Sequence, residues 1–214
     1  MKLKVYKRQG EGLLLFFLGW GFDETPFLPL LENETYDVAF IYDYREEKLP
    51  ALPEHSETTV LAWSAGVLCA LSKQEAVFGK TIFLGGTGAL RHRRWGIPPK
   101  IYDATLSALK KDGEKALYSF YKNMFLREED FKFFLKNKPQ RLLNELIEEL
   151  EVLSDKNFSE KTKNAQVIIT EKDRIIPPRS QKNYWSQMGL SFCQKPWGHF
   201  PFYQEKTLSS FCCP

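Results

Sequence analysis

The run Thr59-Val60-Leu61-Ala62-Trp63-Ser64-Ala65-Gly66-Val67-Leu68-Cys69-Ala70-Leu71 constrains this chain more than any other stretch. A β-branched apolar segment enters a serine flanked by small residues, and an apolar helical segment leaves it. Strand, sharp turn and helix in that order form the setting in which a serine hydroxyl is held above a sheet as a nucleophile. Ala62 and Gly66, two residues either side of Ser64, let strand and helix approach closely. The helix begins at the serine, so the unused N–H of Ala65 can face a developing oxyanion. The motif reads A-x-S-x-G rather than G-x-S-x-G, and by itself it also describes a buried serine at a strand end.

Elsewhere strands alternate with helices. Residues 1–8 alternate in strand fashion, and residues 9–12 read as a hairpin turn into the strand 13–18, which is apolar on both faces. Gly19-Trp20-Gly21 follows that strand, and residues 26–31 suggest a short helix. Residues 36–42 form another buried strand closing in Asp43-Tyr44-Arg45. The helix after Ser64 runs to about residue 75, and 80–84, 165–170 and 190–194 complete the strands, with a polar helix at 180–188. From 101 to about 153 apolar residues recur at three- and four-residue spacing with no strand candidate. The pattern predicts one α/β domain over 1–214, a mostly parallel, doubly wound sheet with a helical lid inserted at about 96–155. In such sheets ligands bind beyond the carboxyl ends of the strands, where Trp20, Ser64 and Asp173 all fall.

Composition excludes more than it selects. At 214 residues and 43% hydrophobic, the chain can bury a real core and is not disordered. A net charge of +3 is too small to argue for nucleic acid. Cys69, Cys193, Cys212 and Cys213 show no CxxC or disulfide-framework spacing, which suits a reducing cytosol, and Cys212-Cys213-Pro214 is no prenylation box. The apolar run 13–18 is too short to cross a membrane and has no secretory cleavage pattern. A soluble, cytoplasmic monomer without metal or cofactor is expected.

A serine nucleophile needs a base, and the base an orienting carboxylate. Of the three histidines, His55 lies in a polar stretch before the Ser64 strand and His92 within an arginine run; His199 sits in Gly198-His199-Phe200-Pro201, just past the last strand. Asp173 follows the strand 165–170 and opens a loop at the same edge. Each has a plainer use, as a packed loop histidine and a turn aspartate. Their conjunction outweighs it, because Ser64, Asp173 and His199 stand in the α/β-hydrolase order, each after a strand. Asp43 also ends a strand, but it precedes the serine. The second oxyanion donor is expected to be the backbone N–H of Trp20, in a glycine-flanked loop after the strand 13–18.

Leu18-Gly19-Trp20-Gly21, Tyr42-Asp43-Tyr44-Arg45, Ala62-Trp63-Ser64-Ala65-Gly66, Gly96-Ile97-Pro98-Pro99 and Gly198-His199-Phe200-Pro201 together resemble the BioG family. The BioH esterases do the same job with a longer chain, His-Gly-Trp-Gly at the oxyanion loop and an intact G-x-S-x-G. The resemblance to BioG runs from about Leu13 to Phe202. It implies hydrolysis of the methyl ester of pimeloyl-[acyl-carrier protein] methyl ester in biotin synthesis, with Ser64 as nucleophile, His199 as base and Asp173 orienting it.

Such a substrate needs an apolar slot, for which Trp20, Phe120 and Met124 are candidate walls, the last two one helical turn apart. The carrier protein (ACP) is acidic, and Arg91, Arg93 and Arg94, with Lys110, Lys111 and Lys122, are a candidate landing site. A solvated basic loop is the plainer alternative, and carrier docking is the preferred reading of that run. Rival functions are a serine esterase or thioesterase of small acyl esters that are not carrier-bound, and a non-catalytic acyl-carrier-binding protein. Nucleic-acid binding has no motif behind it.

Overall fold

Two segments of this chain can only lie inside a sheet. Every residue of β2 (Gly12–Phe17) and of β3 (Asp37–Tyr42) is buried, so each needs a covered face on both sides and a strand at either edge. The computed structural model, which describes residues 1–8, 10, 12–73, 79–159 and 165–212, satisfies both. The remaining strands are β1 (Lys2–Tyr6), β4 (Glu57–Trp63), β5 (Thr81–Leu84), β6 (Ala165–Thr170) and β7 (Cys193–Lys195). They form one sheet of order β1-β3-β2-β4-β5-β6-β7, parallel except for β1.

The expected hairpin between the first two strands does not form. β1 lies on the far side of β3 and pairs with it antiparallel, from Lys2 opposite Tyr42 to Tyr6 opposite Val38. Burial explains the placement. β1 exposes Lys2, Lys4 and Val5 and suits an edge, whereas β2 takes β3 and β4 as parallel neighbours. Residues 9 and 11 of the expected turn lie outside the described residues.

Helix α1 (Ala65–Leu71) is buried at every residue and ends before residue 75; residues 74–78 are outside the described set, as is Cys213. Between β5 and β6 the chain forms α2 (Pro99–Asp112), α3 (Glu114–Met124), α4 (Glu128–Lys136) and α5 (Leu143–Ser154). The segment 26–31 is a 3-10 helix, Thr25–Leu31. α6 (Pro178–Met188) closes with Gly189 at φ 74, the Gly189 N–H bonding Ser186 O and the Leu190 N–H bonding Trp185 O. This Schellman closure uses Leu190 in the helix cap, which is why the last strand starts at Cys193 instead.

Phe22 joins the parts around the sheet's carboxyl edge. Its ring lies 4.8 Å from Trp63 on β4, 5.6 Å from Tyr121 on α3 and 5.6 Å from Phe200 in the loop after β7. At the crossing of β2 and α1 the fit is tighter still. A Cβ on Gly66 would stand 2.2 Å from Phe17 O and 2.7 Å from Leu18 O, both backbone atoms. Gly66→Ala is therefore expected to cost at least about 1–3 kcal/mol, seen as a lower urea midpoint with unchanged slope. An unmoved midpoint would contradict this crossing.

Candidate active site

Ser64 joins β4 to α1 with φ 57 and ψ −122, a backbone conformation that side chains rarely adopt. Its N–H donates to Leu84 O at 3.1 Å and its carbonyl accepts the Val67 N–H at 3.1 Å, so strand and helix both hold the turn. Only one other described non-glycine residue has positive φ, Asp43 at 61. Gly19 lies against the serine, where a Cβ would meet Ser64 Cβ at 3.2 Å and the Trp63 ring at 2.8 Å. The loop after β2 thus reaches Ser64 because it carries no side chain there.

The His199 ring is completely buried, with Nε2 2.8 Å from Ser64 Oγ and Nδ1 2.7 Å from Asp173 Oδ2. Trp63 Nε1 donates to His199 O at 2.7 Å and the Phe200 N–H to Met124 O at 3.2 Å, fixing the loop on both sides. Asp173 is held by more than the histidine. Thr170 Oγ1 and Gln181 Nε2 donate to Oδ2 at 2.7 and 3.1 Å, and the Ile175 and Ile176 N–H groups to Oδ1 at 2.8 and 3.0 Å. With Nδ1–H directed at this carboxylate, Nε2 presents its lone pair to the serine hydroxyl. The arrangement can take a proton from Ser64 as the oxygen attacks a carbonyl.

The other candidates for base and acid lie elsewhere. His55 pairs with Asp37, at the opening of β3, at 3.1 Å. His92 accepts the Arg94 and Trp95 N–H groups and stacks on the Trp95 ring. Asp43 meets Arg45 at 2.7 Å, Lys2 at 3.0 Å and Arg141 at 3.3 Å, an ion cluster separate from the histidine. Burial works to raise the Asp43 carboxyl, but Arg45, Lys2 and Arg141 outweigh it and hold it well below the usual carboxylate range.

Beside Ser64 lies a narrow cavity of about 40 Å³, lined by Trp20, Ala65 and Phe120 among others. Trp20 stands edge-on to Phe120 at 4.9 Å. Met124 is not among the lining residues, contrary to expectation. α3 ends there, and Phe125 turns extended, so the last turn faces the loop carrying His199 rather than the cavity. A groove of about 550 Å³ between α2 and α3 shares Ile97, Thr105, Phe120 and Ile175 with the inner cavity, so the two adjoin. Lys100, Lys115 and Arg174 also line it.

The basic run leads into the same mouth, since Ile97 N bonds Leu90 O and closes the loop. Arg91 is engaged by Asp103 through two bonds of 2.7 and 2.8 Å. Arg93 and Arg94 are exposed and carry no ion pair among the described residues. Lys110 pairs with Glu151.

Sequence reasoning missed Thr170, Gln181 and the Trp63 indole. Thr170, three residues before Asp173, was findable as a polar strand end; a buried glutamine on a polar helix leaves no such mark.

The model of one family, pimeloyl-ACP methyl esterase BioG, matches residues 1–204. The malonyl-[acyl-carrier protein] O-methyltransferase of Bacteroides fragilis (strain 638R) is 34% identical over 210 residues, 94% of this chain, and the chain spans 41% of that relative's length. An uncharacterized protein of Haemophilus influenzae is 29% identical over 202 residues, 87% of each chain. Among solved structures, BioG from Haemophilus influenzae matches with a TM-score of 0.84 at 26% identity over 99% of both chains. The esterase EaEST from Exiguobacterium antarcticum, at 16% identity and a TM-score of 0.73 over 95% of this chain and 90% of its own, shares the fold, which is that of the α/β-hydrolases.

The two aspartates separate by experiment. Asp173→Asn is expected to slow hydrolysis of a p-nitrophenyl ester by about ten-thousandfold. Asp43→Asn should keep most of the rate and lose stability instead. A carboxyl held low in the folded state contributes stability above its unfolded pKa of about 4, and that stability disappears as pH falls. The Asp43→Asn variant should therefore show a flatter acid limb in unfolding free energy against pH. The opposite ranking of rates would remove Asp173 from the site.

Proposed function

The chain belongs to the BioG family of pimeloyl-ACP methyl esterases, and we propose that it acts as an esterase of biotin synthesis on the methyl ester of ACP-bound pimelate, releasing methanol and the carboxylate. The Ser64–His199–Asp173 hydrogen-bond chain carries this reading, set on a strained turn at the mouth of a cavity.

In the proposed mechanism Ser64 Oγ attacks the ester carbonyl while His199 Nε2 takes its proton, and Asp173 stabilises the imidazolium. The N–H groups of Trp20 and Ala65 receive the oxyanion, each donor being worth about 10²–10³ in rate. Expulsion of methoxide takes the proton back from His199 as methanol leaves. Water then attacks the acyl-serine, giving its proton to His199, which returns it to Ser64 Oγ as the pimeloyl carboxylate departs. The balance is one water consumed, one methanol released and one proton lost to solvent as the new acid ionises.

The shape supports a methyl ester on a long carrier-bound chain. The inner cavity of about 40 Å³ beside Ser64 is small and mostly apolar-lined, and a methoxy group suits it. The groove of about 550 Å³ lies within the ordinary range for ligand sites and can take the chain. Its lysines and arginine, with exposed Arg93 and Arg94, suit an acidic carrier. The Bacteroides fragilis relative is named for O-methylation of a malonyl group on an acyl-carrier protein. That name too concerns a methyl ester on a carrier-bound acid. The small inner cavity favours a second reading, a short ester that is not carrier-bound.

Turnover of methyl-pimeloyl-ACP beside dimethyl pimelate tests both. We expect the ACP ester to be cleaved much faster, the activity to vanish in Ser64→Ala, and Arg93→Glu with Arg94→Glu to raise KM for the ACP ester about tenfold or more while sparing the small ester. Equal rates on both substrates would support the second reading and remove the carrier.

A further inference from the structure

The segment Tyr42-Asp43-Tyr44-Arg45 takes no part in the triad, yet its second tyrosine is fully buried. The left-handed turn at Asp43 folds Tyr44 back under the end of β2. Its hydroxyl donates to Leu18 O at 2.7 Å and lies 3.1 Å from Ile41 O, which already accepts the Leu18 N–H at 2.9 Å. The hydroxyl has one proton, and the shorter contact to Leu18 takes it. Gly66 packs closely against the same carbonyl, where a Cβ would stand 2.7 Å from it. Burial keeps the Tyr44 phenol far above its usual range, so it remains a donor.

Leu18 is the last residue before Gly19 and Trp20. A peptide plane is rigid, so holding the Leu18 carbonyl also fixes the direction in which Gly19 sets out. A second anchor lies just beyond, where the Trp20 indole N–H donates to Leu146 O on α5 at 2.8 Å. The same helix holds Tyr44, through its N–H to Glu149 Oε1 at 2.8 Å. The two anchors straddle the Gly19–Trp20 peptide, whose N–H is the donor proposed for the oxyanion.

We propose that the Tyr44 hydroxyl, with the Trp20 indole as second anchor, positions the oxyanion loop, so that β3 and lid helix α5 together set the donor geometry. This rests on the esterase reading above. Tyr44 touches neither substrate nor triad; it acts through the Leu18 carbonyl.

The test uses Tyr44→Phe, p-nitrophenyl acetate as a substrate independent of the carrier, and a trifluoromethyl ketone that forms a tetrahedral adduct on the serine. We expect kcat to fall about tenfold to a hundredfold, with KM within about twofold. Ketone affinity should fall in parallel, and the pH profile of kcat/KM, which reads the His199 pair, should not move. Unchanged kcat, or a loss in kcat that leaves ketone affinity intact, would overturn the proposal. Should Tyr44→Phe not fold, Trp20→Phe cuts the other anchor while keeping a ring, and unchanged kcat there overturns it equally. A wild type inert to p-nitrophenyl acetate would fail the esterase reading and this inference with it, whereas an active wild type matched by both variants fails this inference alone.

Discussion

A carboxylate removed from water must recover its lost hydrogen bonds, and the region around the site is built on how Asp173 does so. Five donors converge on its two oxygens: the His199 ring, the Thr170 hydroxyl, the Gln181 amide and two backbone N–H groups. They come from β6, the turn after it, α6 and the loop after β7. The loop through Asp173, α6 and the His199 loop are therefore tied to one charge. Removing any donor would leave the carboxylate under-satisfied, which costs more than an ordinary exposed hydrogen bond.

His199 inherits its placement from that charge and from Trp63. The Trp63 indole sits on β4, one residue before the serine, and holds the carbonyl of the histidine. Ser64 and His199 are thus referenced to the same strand, although 135 positions separate them. The distance between them is a property of β4 more than of the long chain between.

The helical segment between β5 and β6 is fastened to the sheet by a second set of buried charges. Arg141 pairs with Glu149, both almost wholly buried, and reaches Asp43 at the end of β3. Burial pushes the Glu149 carboxyl up, and Arg141 opposes it. Breaking such a pair by deleting one partner costs about 3–5 kcal/mol, because the other charge stays buried. α5 meets the sheet through this cluster and through Tyr44 and Trp20. The buried charges and the Gly19–Trp20 loop are therefore held by the same helix.

What the sequence determined is what local chemistry can encode. Strand, serine and buried helix around Ser64 form a contiguous pattern, and chain order with strand ends singled out His199 and Asp173, which the fold brings to Ser64. β2 and β3 were legible as interior strands because they are apolar on both faces. Tertiary structure decided whatever depends on which distant segments meet. Glycine near residues 9–12 suggested a hairpin, but the burial demand of β2 sent β1 to the far side of β3. Met124 and Phe120 share a helical spacing, and only the end of α3 separated a loop prop from a cavity wall. Gln181, Thr170 and Tyr44 are unremarkable letters in the chain. Each matters because folding buries a charge or a carbonyl beside it, and a buried polar group must be answered by whatever neighbour the fold supplies.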